Sequence, residues 1–393
     1  MTEALSPSCL SDIRAFEREW TALCESVSPR PNTAQLLKAF SSIDWSRLVL
    51  LAEEHGVLGQ LAACLNHSNP VALPAEIKQI LFERQRTQNF LTLRLTAELF
   101  SLLELFGAQE IPTLVIKGPV LATRAYEDPS IRSYGDLDML VRQRDIRRAT
   151  ELMIASGYQA AVSPSAIDAG KVPGQYLFSK QDSSLLVELH NDRTLRYFPR
   201  PLPIEDFFAR QIRVRVDAQE VPAPCVEDEF VLICVHGAKH LWERLSWIAD
   251  VAGLVSQQTN IDWERAASSA RAVEAEPLLH AGLWLAMDVL HAELPQAIAS
   301  HVRDDVVATK LAARVLRWLP AAGYAPPGVF ERAAFRLRMR GGFLAAPSYL
   351  LRLSFSPTEE DWQSGGRVSN SSALDMLRRP FRLARKYSRS SKS

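Results

Sequence analysis

Two aspartates, Asp136 and Asp138, stand two residues apart at the head of the apolar run Asp136-Leu137-Asp138-Met139-Leu140-Val141. On a strand, residues i and i+2 share a face, so both carboxylates project together and Leu137 and Met139 turn the other way. Adjacent carboxylates repel unless a cation lies between them. Hard oxygen ligands at this spacing suit Mg²⁺, which keeps several waters and shares its shell with substrate phosphates. A third acid, Glu188, sits in the apolar run Leu185-Leu186-Val187-Glu188-Leu189-His190 on the same face as Leu186 and His190. Charge in such a strand needs a partner or a cation. Three acids brought together would hold two metal ions for phosphoryl or nucleotidyl transfer, and one of them could take the proton of an attacking hydroxyl.

Phosphate-binding groups lie close by in sequence. Lys117-Gly118-Pro119 follows the β-branched run Thr113-Leu114-Val115-Ile116 and opens a helix. A glycine at a strand-to-helix turn lets backbone N–H groups approach an anion, which the helix N-terminus favours. Lys117 adds a point charge, and Arg132 has the planar fork that suits phosphate oxygens. Pro119 has no N–H to donate, which weakens the cradle. Further along, His236 and His240 are four apart on one helix face. That is metal-ligand spacing, but no Glu follows His236 and the zinc-protease pattern is absent. The pair either packs at an interface or reaches with Lys239 into the cleft to meet phosphates or an acceptor. Lys239 and Arg244 lie about 140° apart around a helix, so only one of them faces the cleft squarely, and Lys239 shares the side of His236. Asp250 is expected to orient a histidine or to anchor Arg244. His190 orients an acceptor or fills the sheet edge, and Trp242 and Trp247 are expected in the core.

These side chains need a particular scaffold. Residues 1–110 read as helical, with a long helix ending near Gly107. Strands follow at 113–116, 137–141, 158–163, about 175–180, about 185–190 and 212–216, and Asp145 is expected to cap a helix between the second and third. From Glu227 the chain returns to helix through Leu319, and 321–393 reads as loose. The expectation is α+β, a small mixed sheet flanked by helical regions. The expected units are an N-terminal helical region 1–110, a sheet unit 111–220, a helical domain 221–320 and a C-terminal extension 321–393.

Lys117-Gly118, Leu121, Tyr126, Pro129, Arg132, Gly135-Asp-Leu-Asp-Met-Leu-Val141, Gly157-Tyr158, Val187-Glu-Leu-His190 and His236-Gly-Ala-Lys-His240, with Trp242, Arg244, Trp247 and Asp250, together resemble the uncharacterised nucleotidyltransferase family of the DNA polymerase β superfamily. The resemblance runs over roughly 80–320, and more faintly over Pro357 to Trp362 and Arg379-Pro380. The Gly-to-Asp spacing is also similar to that of some aminoglycoside nucleotidyltransferases. The resemblance implies a nucleotidyltransferase palm, Mg²⁺ (two ions) and an NTP co-substrate. The superfamily's Gly-Ser or Gly-Gly is Gly118-Pro119 here. The expected set is Asp136, Asp138 and Glu188 as metal ligands and catalytic groups, with Lys117, Gly118 and Arg132 on the nucleotide. His190, His236, Lys239, His240 and Asp250 are expected on the acceptor or phosphates. The alternative is a non-catalytic nucleotide-binding or partner-binding module on the same fold.

Composition excludes other classes. The 393 residues carry 45 Lys+Arg against 45 Asp+Glu, so bulk positive charge drives no nucleic-acid or membrane binding. A local basic patch remains open. The run from Arg378 onward holds seven basic residues and no acid, with Phe381 and Tyr387 interleaved, and Arg332, Arg336, Arg338 and Arg340 form a second cluster. Either suits an acidic partner or RNA, or simply a solvated surface. Five cysteines without CxxC pairing argue against a disulfide framework. The charged first twenty residues leave no room for the apolar part of a signal peptide, and no apolar stretch is long enough to span a bilayer, so a cytoplasmic location is expected. No G-x-S-x-G elbow and no P-loop are present.

Overall fold

In a computed structural model of the chain, the structure describes residues 17–68, 73–164, 167, 174–180, 185–191, 200–321 and 326–339. Four short helices come first, α1 Glu17–Val27, α2 Thr33–Phe40, α3 Trp45–Glu54 and α4 Leu58–Ser68. Two of them begin at side-chain caps: Asn32 accepts from the Gln35 N–H and Asp44 from the Arg47 N–H. Helix α5, Ala75–Gly107, is 33 residues long, about 50 Å at 1.5 Å per residue. It serves two cores. Near its start Ile77 and Leu81 join the core of the helical layer. Near its end Leu95, Leu99, Leu102 and Phe106, spaced four, three and four, pack under the sheet.

The sheet holds β1 Thr113–Val115, β2 Asp136–Val141, β3 Tyr158–Ala160, β4 Gln175–Lys180 and β5 Leu185–His190 in the order β1-β2-β5-β4-β3. Only β2 and β5 run parallel; the other pairings are antiparallel. Helices α6 Gly118–Ala125 and α7 Ile146–Ala155 connect its first strands. One face is apolar: Leu137, Met139 and Val141 of β2, Leu185, Val187 and Leu189 of β5, and Tyr176 and Phe178 of β4 fill one core with the end of α5. The period of two sends Asp136, Asp138, Glu188 and His190 to the opposite face. After the short helix α8 Ile204–Ala209, a separate hairpin pairs β6 Ile212–Val216 with β7 Gln219–Ala223. Asp217 turns it at φ 48°, the left-handed geometry that two-residue hairpin loops require.

The helical layer follows as α9 Val226–Lys239, α10 Leu245–Gln257, α11 Trp263–Ala272, α12 Glu276–Leu290, α13 Gln296–Asp304, α14 Val306–Trp318 and α15 Val329–Arg338. Trp242 lies fully buried among these helices, as expected of a core residue. Its indole needs two glycines: a Cβ at Gly237 would stand 2.5 Å from the ring, and one at Gly282 would stand 3.0 Å from it. Among the described residues, no helix is long and apolar enough to cross a membrane. Cys24, Cys225 and Cys234 are buried thiols, while Cys9 lies outside the described residues.

The fold is α+β, a small mixed sheet with helices before and after it. Several details differ from the sequence expectation. The strand expected over 158–163 is limited to Tyr158–Ala160. Asp145 stands at the N-terminus of α7 without accepting a hydrogen bond from it, because a 3-10 turn leads directly into the helix. Strand β7 had no counterpart, since it opens on two polar residues, Gln219 and Glu220, and carries Pro222 inside the run. Within the region expected to be loose, α15 is a helix, and its Arg332 pairs with Glu243 at 2.9 Å. The basic run from Arg378, Arg340 and the faint similarity over 357–362 and 379–380 lie outside the described residues.

Candidate active site

Register brings the acids together. In the parallel ladder Asp138 lies directly opposite Glu188, Asp136 opposite Leu186 and Leu140 opposite His190. Asp138 is 2% exposed and Glu188 is half-buried. The side chains form a continuous polar chain on this face. Lys117 Nζ stands 2.8 Å from Asp138 Oδ2. His190 Nε2 stands 2.7 Å from Asp138 Oδ1 and 3.4 Å from Glu188 Oε2. Gln175 Nε2 donates to the same Glu188 oxygen at 2.6 Å, and Lys239 Nζ donates to Gln175 Oε1 at 2.9 Å. Lys117 Nζ also lies 3.4 Å from His236 Nδ1, tying the sheet to α9.

Local backbone geometry explains the place of Lys117. The Ile116 N–H donates to Asp138 O at 3.1 Å, so the chain leaving β1 runs beside Asp138. The next residues turn at once into α6, with Gly118 at φ 52° and Pro119 in the first turn. Gly118 is therefore required for the turn itself, because a left-handed φ strains an L-residue.

Burial and charge set the ionisation of the cluster. Burial, and then the neighbouring Asp138 charge, push Asp136 up to about 6. Burial also opposes the charged form of Asp138, but the Lys117 ammonium and the His190 hydrogen bond outweigh it and hold this carboxyl well below the usual range. Glu188 is lowered despite burial, chiefly by the His190 hydrogen bond. His190 is raised despite burial by its bonds to Asp138 and Glu188. Burial and the Lys117 charge push His236 well below its ordinary value, and burial and Lys239 take His240 down to about 4. Asp138, Glu188 and His190 thus favour charge, Asp136 holds its proton more tightly than an ordinary carboxyl, and His236 and His240 favour the neutral form.

The remaining expected residues fall into two groups. His236 and His240 stack with each other and with Trp247, at centroid distances of 4.7, 5.6 and 5.2 Å. Trp247 is thus a wall for the histidines. Arg132 and Asp250 turn away from the roles expected for them. Arg132 Nε and Nη2 bind the two oxygens of Asp250 at 2.8 and 2.9 Å, and Nη1 donates to Gly118 O at 3.3 Å. The fork read as a phosphate clamp is spent inside the protein. Asp250 anchors Arg132, where Arg244 or a histidine was expected, and also accepts from the Tyr126 hydroxyl at 3.0 Å. Sequence reasoning missed Gln175, the link between Lys239 and Glu188. Its signal is position: it opens the strand whose first register partner is His190.

The donor set fits a divalent cation. Asp138, Glu188 and His190 each offer a ligand atom, and all three atoms lie within 4.8 Å of one another. Asp136 lies outside this tightest group, although its ionisation responds to Asp138 and Glu188. Expected as a ligand from the first, it stands beside the trio, and His190 stands within it.

One solved structure, an antigenic nucleotidyltransferase-like protein from Paracoccidioides brasiliensis, is 13% identical, with 55% of this chain and 96% of that chain covered, at a TM-score of 0.31. That likeness is too slight to carry an argument. No curated protein matches the chain. Residues 41–291 match the family described as "Uncharacterised nucleotidyltransferase". The match spans well over half of the chain and encloses every carboxylate, lysine and histidine of the polar cluster, so the chain belongs to the uncharacterised nucleotidyltransferase family.

Proposed function

We propose that the chain is a Mg²⁺-dependent enzyme that moves a nucleoside monophosphate from an NTP to an acceptor hydroxyl or phosphate and releases pyrophosphate. The observation that carries this reading is the pairing of Asp138 with Glu188 across two parallel strands, on a polar sheet face that also bears Asp136 and is lined by lysines. Asp136, Asp138 and Glu188, with His190 beside them, would hold the metal, two ions in the fullest form. When bound, Mg²⁺ neutralises charge on the phosphates and on the pyrophosphate that leaves.

The chain's own groups do the rest. Lys117 now neutralises Asp138; its ammonium is long and mobile enough to turn to a phosphate oxygen once a cation takes over that carboxylate. Lys239, held by Gln175, supplies positive charge from the α9 side. The acceptor oxygen attacks the α-phosphorus in line, its bond to pyrophosphate breaks, and the acceptor's proton passes to Asp136 or Glu188. Neutral His236 and His240 with Trp247 form the wall against which an acceptor would lie. Arg132 and Asp250 do no chemistry in this scheme: they lock the Gly118 turn to α10.

The test is incubation with labelled NTPs, Mg²⁺ and candidate acceptors. Asp138→Asn removes a charged ligand of the metal and is expected to reduce label transfer by about a hundredfold or more. Transfer by Asp138→Asn at the wild-type rate would defeat the assignment. A second reading, nucleotide binding without turnover, has one observation in its favour: Pro119 removes a donor from the first turn of α6. NTP binding seen by calorimetry with no pyrophosphate released for any acceptor would support it.

A further inference from the structure

A second group of metal-ligating side chains lies in the helical layer, and none of its members belongs to the carboxylate cluster. Glu276 and His280 are four apart on α12, hence on one helix face. His301 comes from α13. Each offers one ligand atom, and the three atoms lie within 4.8 Å of one another. The rings of His280 and His301 meet edge-on at a centroid distance of 5.1 Å.

The outer shell is also built. His280 is 5% exposed, and its Nδ1 lies 2.8 Å from Asp305 Oδ2. Asp305 is itself fixed, because Oδ1 accepts from the Val307 and Ala308 N–H groups at 2.9 and 3.0 Å and caps α14. A carboxylate can only accept, so His280 Nδ1 is the donor to Asp305, and the lone pair of the neutral imidazole is then the one on Nε2. A carboxylate that orients a histidine through one ring nitrogen and leaves the other for a metal is the usual support of a histidine ligand. Glu276 Oε1 accepts from Arg271 Nη1 at 2.9 Å, which steadies that carboxylate while leaving lone pairs for a second partner. His301 is exposed and Glu276 partly so, which gives an ion a way in.

We propose that Glu276, His280 and His301 form a transition-metal site of the Zn²⁺ class that clasps α12 to α13, with Asp305 as its orienting residue. Two imidazoles and one carboxylate are a Zn²⁺ donor set, with the fourth tetrahedral position left to water. They are a poor set for Mg²⁺, which prefers oxygen. The site is independent of the proposed nucleotidyl transfer, and its test needs no activity.

The test uses the full chain without a histidine tag, in an Asp138→Asn/Glu188→Gln background so that the first cluster does not compete. Zn²⁺ retained after gel filtration is measured by elemental analysis, affinity by chelator competition, and geometry by Co²⁺ absorption. The background chain is expected to keep one Zn²⁺, to show tetrahedral Co²⁺ bands and to melt at a higher temperature with Zn²⁺ than without. His301→Ala changes an exposed residue and is expected to abolish all three. Asp305→Asn keeps a capping oxygen but loses the second acceptor, and should weaken Zn²⁺ about 10–100-fold. The proposal is overturned if the background chain retains no Zn²⁺, or if both variants bind it with unchanged stoichiometry and affinity.

Discussion

Whether Arg132 holds phosphate or holds the protein together can be decided by removing one partner at a time. Arg132 is 9% exposed and Asp250 4%, and they meet through two short bonds. Asp250→Asn leaves the buried guanidinium with only neutral acceptors, the new amide oxygen and Gly118 O, turns the second oxygen into an opposing N–H donor, and removes the paired charge. Loss of one member of a buried pair costs about 3–5 kcal/mol, so Asp250→Asn and Arg132→Met should each destabilise the chain by that amount. The double variant Arg132→Met/Asp250→Leu buries no orphan charge. It loses only the partners of Gly118 O and the Tyr126 hydroxyl, a cost of about 1–2 kcal/mol. Urea denaturation with linear extrapolation gives all three numbers, and nucleotide affinity is measured in parallel by calorimetry. A structural clamp predicts a coupling of several kcal/mol between the two sites. The reasoning is refuted if the single costs are each under about 1 kcal/mol and simply add. It also fails if Arg132→Met weakens nucleotide binding about tenfold at unchanged stability, because that is the behaviour of a phosphate ligand.

Two further outcomes follow from buried groups. His55, 1% exposed, is pushed down to about 4, first by burial and then by Arg244, and its Nδ1 accepts from the Leu245 N–H. Between pH 6.5 and about 4 the unfolded chain binds the proton and the folded chain does not, so stability falls as pH falls through that window, by about 3 kcal/mol from this residue. His236 and His240 act in the same direction. His55→Asn keeps an acceptor that cannot titrate, and melting curves against pH should show a shallower acid slope; an unchanged slope would mean that His55 protonates in the folded state. Gly237→Ala should cost about 1–3 kcal/mol, because its Cβ would stand 2.5 Å from the Trp242 ring, and a melting temperature equal to wild type would show that the indole moves aside freely.

Local pattern alone determined a good deal of this protein. Alternation along Asp136–Val141 and Leu185–His190 assigned each side chain to a face, because a strand's period of two does not depend on what surrounds it. Helices α9, α10, α11, α12 and α14 were legible from apolar spacing, because a helix's period is equally local, whereas α15 fell in a stretch that read as loose; Gly118 marked its turn because few other residues tolerate a positive φ. Partnership was another matter. The pairing of Asp138 with Glu188 depends on β5 entering the sheet beside β2 in one register, a choice made by contacts fifty residues apart. Arg132 carries the same five N–H donors whether its fork meets phosphate or carboxylate, and only the approach of α10 put Asp250 in front of it. Gln175 looked like any strand residue until β4 set it opposite His190. The distant pair of Glu276 and His301 had no signal in sequence, since a helix face becomes a ligand set only when a second helix packs against it. Residue chemistry and face are local properties of the chain, whereas which charge neutralises which is settled by long-range packing, where a low dielectric makes each such meeting strong.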